Sequence, residues 1–176
     1  MGLTAFKQEF EGFAAELPTS PNLVARPLIN DPNPMSDFNE ALKLYQRQVS
    51  IWYSNLLISL EKLKSLFDKA SEDETGNSTN FLIDEAIPQV TARLDQIAKS
   101  LQTNIDLVPT LAVSDLAKEI GKRGQAAMSV QLELIYDVKS KIDSVVEEYH
   151  PDNKPVGDVL KSIDDFDAWF DRIAAQ

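Results

Sequence analysis

The sequence predicts an all-α protein, a single domain built as an elongated up-down bundle of four main helices with a short amphipathic helix ahead of them. Apolar residues recur at spacings of three and four over most of the chain, the repeat of a helix that buries one face. No stretch alternates apolar and polar residues between hairpin turns, so no sheet is expected. Turn-forming residues gather in a few places: five prolines within residues 18–35, the polar stretch 71–79, and Pro151 to Pro155. The length of 176 residues suits one domain.

The first helix is expected from about Leu3 to Leu17, because Phe6, Phe10, Phe13 and Leu17 fall on one face. Pro18 and Pro21 end it. Residues 18–35 are too proline-rich for helix or inner strand and read as an extended tether laid over the fold. The second helix should open at Ser36 or Asp37, whose side chains can accept from the free N–H groups of a helix start. Phe38, Leu42, Tyr45, Val49, Trp52, Leu56, Leu60, Leu63 and Phe67 mark its buried stripe to about Ala70. Ile51, Tyr53, Leu57 and Ile58 widen the apolar surface, and a helix apolar on several sides is expected to be surrounded.

After the polar loop 71–79, Ile83, Ile87, Val90, Leu94, Ile97 and Leu101 define a third helix. Pro88 lies inside that register, so the helix either kinks there or begins there, and the continuous phase favours the kink. Residues 104–110, containing Pro109, are expected to form the next connection. The fourth helix runs from near Ser114 to about Tyr149, with Leu116, Ile120, Ala127, Leu134, Val138, Ile142, Val145 and Tyr149 on its buried side. Gly121 and Gly124 weaken it locally and are explained by close helix packing or a kink. A fifth helix, about Val156 to Ala174, would bury Val159 or Leu160, Ile163, Phe166, Phe170 and Ile173.

A net charge of −11 repels phosphate backbones, so no nucleic-acid partner is expected. The most apolar run, Ile51 to Leu60, is half the length of a membrane span, so none is expected. The start of the chain carries no signal-peptide pattern, and a cytoplasmic protein is expected unless a leader was removed. With no cysteine there is no disulfide, thiolate metal site or cysteine nucleophile.

The one histidine, His150, follows Glu147 in a Glu-x-x-His spacing, but a bundle di-iron site needs that motif twice. The loop from Asp73 to Asp84 carries oxygen ligands at calcium-loop spacing, yet has Ser78 where glycine is needed and Asp84 where a bidentate glutamate belongs. Gly121-Lys122-Arg123-Gly124 lacks the spacing of a phosphate loop. No metal, cofactor or catalytic residue is expected, and the chain does not read as an enzyme.

Two surfaces are candidate binding sites. The stripe Phe6, Phe10, Phe13 and Leu17 has the anchor spacing of a helix that docks into a partner's groove, and equally that of a helix packed on its own bundle. Asp164, Asp167 and Asp171 share a face of the last helix and would suit a basic partner. The expected role is non-catalytic, binding another protein or self-associating. The alternative is a carrier of an apolar small molecule or lipid between the helices, suggested by Tyr45, Trp52, Tyr53, Trp169 and Phe170.

No family is identified. The order of a proline-containing helix, a proline-containing loop, a long helix and a final helix with Ile163, Asp164, Phe166 and Asp167 is similar to that of fungal hydrophobic-surface-binding proteins. That similarity covers about the last hundred residues as pattern. It implies a secreted helical bundle, some relatives of which hold lipids, and so bears on the carrier alternative.

Overall fold

A computed structural model describes residues 2–23, 33–111 and 114–149. Among them every regular element is helical: α1 (Leu3–Ala15), α2 (Pro34–Ser71), α3 (Asn77–Phe81), a π-turn (Leu82–Ala86), α4 (Ile87–Leu111) and α5 (Asp115–Tyr149). The all-α class expected from periodicity is what the structure has. The expected fifth helix, about Val156 to Ala174, lies outside the described residues.

The three long helices run up, down and up. Arg123 bonds Asn39, Tyr45 bonds Gln131, and Phe67 stacks on Tyr149, so α2 and α5 rise together and are parallel. Gln125 bonds the Ile105 carbonyl, and Lys139 meets Asp95 at 2.5 Å, so α4 descends antiparallel to α5. Their facing stripes form the core: Tyr45, Trp52, Leu63 and Phe67 of α2, Leu94 and Leu101 of α4, Ile135 and Val138 of α5.

α1 fills the groove between α2 and α4. Its ion pairs Glu9–Lys69 and Glu16–Lys62 show it antiparallel to α2, and Arg93 of α4 donates to the Ala14 carbonyl at 2.8 Å. Residues 18–23 continue along the same groove without regular structure, as a tether laid over the fold would, and Leu23 reaches Gly124. Residues 24–32 lie outside the described part.

Several boundaries differ from the sequence expectation. α2 starts at Pro34, three residues before Asp37, with Asn33 as N-cap; proline suits the first helical position because its missing N–H is unpaired there anyway. Residues 104–110 are not a connection but the last turns of α4, which passes through Pro109. A helical proline leaves the carbonyl four residues earlier without its N–H partner. Here that carbonyl belongs to Ile105, and the Gln125 side chain of α5 supplies the missing donor at 2.8 Å.

At Pro88 the helical path does not break. The π-turn 82–86 precedes it, with the Ile87 N–H bonded five residues back to Leu82. α3, the π-turn and α4 follow one another without a loop, and Leu82, Ala86, Val90 and Leu94 stay on the buried side.

The polar loop 71–79 shortens to a turn between Ser71 and Asn77. Gly76 sits there at φ 75°, a left-handed conformation in which a side chain would be strained. Asp73 organises this turn. Its carboxylate accepts from the Thr75 and Ser78 backbone N–H groups and from both hydroxyls, at 2.6 to 3.1 Å. These bonds to the charged form, led by the Thr75 hydroxyl, lower the Asp73 pKa to about 2. Both carboxylate oxygens are thus committed to protein donors, which accounts for the loop's composition without calcium.

Candidate functional site

The expected Phe-rich anchor is inside the protein. Phe6, Phe10 and Phe13 are buried, and Leu17 packs at the edge of the same cluster. Their receptor is Phe81 of α3, met edge-on by Phe6 at 6.2 Å and by Phe10 at 5.6 Å between ring centres. Such T-shaped pairs place a positive ring edge over a negative face. Lys7 lies 5.2 Å from the same Phe81 ring. Phe81 follows the polar stretch directly and falls outside the apolar register of the third helix, so sequence spacing did not single it out. Asp164, Asp167 and Asp171, the second candidate surface, lie outside the described residues, as does His150.

What the structure exposes instead is the back of α2. Leu44, Ile51 and Ile58 are 53%, 56% and 55% exposed, contrary to the expectation that α2 is surrounded. Their seven-residue spacing sets them one above another on a nearly straight line. Exposed Arg47, Gln48, Ser54, Asn55 and Lys62 border that line. Single exposed apolar residues are ordinary, whereas three aligned ones on one helix form a ridge that a second helix can straddle. Leu116 of α5, expected to be buried, is also exposed. Ser114 caps the start of α5 by accepting from the Ala117 N–H.

Beside the ridge, α2 and α5 are joined by a polar knot. The Tyr53 hydroxyl and the Lys141 ammonium both donate to Asp137 Oδ2. The donor bonds, that of Lys141 first, hold the Asp137 carboxyl below its usual range, and the same contact raises Lys141. Deeper in, the fully buried Gln131 accepts from the Tyr45 hydroxyl at 2.5 Å and donates to Ser20 at 2.8 Å. Burial raises the Tyr45 hydroxyl to about 12, so it stays a neutral donor. Neither cluster was visible in sequence, because Gln131 and Asp137 are ordinary helix residues until their partners about 85 positions away are in place.

Among the described residues no group of three or more His, Cys, Asp or Glu side chains is placed to hold a metal ion. No helix there is long and apolar enough to cross a membrane. The gap lined by Phe13, Leu17, Leu56, Leu94, Val138 and Ile142 has a volume of about 20 Å³, room for about one water molecule. No family model, curated protein or solved structure matches the chain, and the similarity to fungal hydrophobic-surface-binding proteins gains no support.

Proposed function

We propose that this protein is a non-catalytic interaction module that uses the back of α2 to pair with a helix of another protein or of a second copy. The observation that carries the reading is the solvent-facing line Leu44, Ile51 and Ile58. Apolar residues at that spacing are the knobs of helix-to-helix packing, and a helix bearing them gains by covering them. The Phe-rich helix, the candidate anchor in the sequence, already has its receptor in Phe81, which favours α2 over α1 as the binding element.

The test replaces with serine, in the full chain, the two residues of the line that border no groove: Leu44→Ser and Ile51→Ser together. Exposed positions away from packing change stability by about 0.5 kcal/mol or less each, so the variant should melt near the parent. Proximity labelling in the native cell, with sedimentation at rising concentration, is expected to show partners or self-association that the variant loses. An unchanged set of labelled proteins together with unchanged sedimentation would refute the proposal. Nothing specific favours the carrier alternative: the gap among the core side chains measures about 20 Å³, against about 300 Å³ or more for pockets that hold small apolar ligands, and the larger hollow beside α2 is an open trough.

A further inference from the structure

The two long grooves flanking α2 are treated differently by the chain. The one shared with α4 is filled by α1 and residues 18–23. The one shared with α5 is an open trough of about 450 Å³, whose walls include Leu57, Ile58, Leu60, Lys64 and Val145. On α5, Lys141, Ser144, Val145 and Glu148 line it, and Val130 and Asp137 continue that side of the helix toward its start, at successive spacings of seven and four residues leading to Lys141. Val130, 54% exposed, lies about three turns beyond the lined part of the trough. The described part of α5 ends at Tyr149, next to the end of the trough where Lys64 and Glu148 line it.

Beyond Tyr149 the chain has residues 150–176. Val159, Ile163, Phe166, Phe170 and Ile173 recur there at alternating spacings of four and three, the seam that seats a helix between two others. We propose that the α2–α5 trough is the seat of the chain's own C-terminal segment, residues 156–174, packed as a helix antiparallel to both walls.

The lengths agree. Residues 150–155, with Pro151 and Pro155, make a connection of common size for antiparallel neighbours. A helix over 156–174 spans about 28 Å, the distance from Tyr149 back to Val130 along α5 at the same rise. The segment would turn its apolar seam inward and leave Asp164, Asp167 and Asp171 on the outside. This inference is separate from the proposal for the back of α2, with which it shares only Ile58.

The absence of cysteine makes the full chain suited to site-specific spin labels. Two double variants are needed: Ser144→Cys with Ser162→Cys, and Ser65→Cys with Ser162→Cys. Ser144 borders the α2–α5 trough, and Ser65 borders the opposite groove beside α1. Packed helices lie about 8–10 Å apart, so the first pair should give a narrow distance distribution centred below about 25 Å by electron double resonance. The second pair should be clearly longer. A broad distribution for the first pair, or a shorter distance from Ser65 than from Ser144, would overturn the proposal. So would a short distance that disappears when labelled chain is diluted with unlabelled chain, because the occupant would then be a second copy.

Discussion

Asp73 shows how much one side chain can settle locally. It accepts four bonds from Thr75 and Ser78, fixes the turn around Gly76 and thereby aims the chain from α2 into α3. Its pKa falls to about 2 in the folded protein, below the value of about 3.9 expected when unfolded. A depressed carboxyl stabilises the fold above its unfolded pKa, and the contribution fades as pH drops through the folded value. Asp73→Ala is therefore expected to lower the melting temperature at pH 7. The difference from the parent should shrink between about pH 4 and pH 2, where the carboxyl takes up a proton in either state. Thermal melts across that range measure it, and a gap constant with pH would assign the effect to something other than the carboxylate.

At the scale of elements, the two glycines of α5 have opposite roles. A Cβ on Gly121 would sit 2.6 Å from Val108 Cγ1 of α4, whereas at Gly124 the nearest atoms, from Leu23 and Phe38, are 3.4 and 3.7 Å away. Alanine is worth about 1 kcal/mol over glycine in a helix interior. Gly124→Ala is expected to raise stability by about 0.5–1 kcal/mol in urea titrations. Gly121→Ala should lower it despite the same propensity gain, because Val108 is branched at Cβ and must move or push α4 away.

The helices themselves were legible, since a buried face writes a three-and-four spacing into the chain: the α2 stripe from Phe38 to Phe67 is buried almost residue for residue. What the spacing could not reveal were features fixed by distant partners. Pro109 looks like a helix breaker until Gln125 folds back onto the Ile105 carbonyl. Ile51 and Ile58 look like core until the helices pack on the other side of α2. The Phe stripe of α1 was legible as a stripe, but only Phe81 decides what it packs against.

At the scale of the molecule, Gln131 connects three parts that are remote in sequence. Through Tyr45 it ties α5 to α2, and through Ser20 it holds the segment after α1. Replacing it with leucine strands a buried Tyr45 hydroxyl, at a cost of about 1–3 kcal/mol. Tyr45→Phe alone should cost about 1 kcal/mol. Together the two changes are expected to cost less than their sum, with a coupling of about 0.5–3 kcal/mol in a double-mutant cycle. Strict additivity would mean that the bond contributes nothing to how these parts are joined.

The docking of α1 onto Phe81 also has a consequence for how the protein is made. α1 leaves the ribosome well before α2 and α3 exist, and at about 5–20 residues per second the wait from Phe10 to Phe81 is roughly 4 to 14 seconds. A 13-residue segment is too short to hold a helix alone in water. During that interval it travels as an open chain with three phenylalanines showing, and Glu9, Glu11 and Glu16 are spaced among them. The nascent chain therefore offers chaperones a site that the finished protein conceals, and α1 can take its seat only once Phe81 has been made.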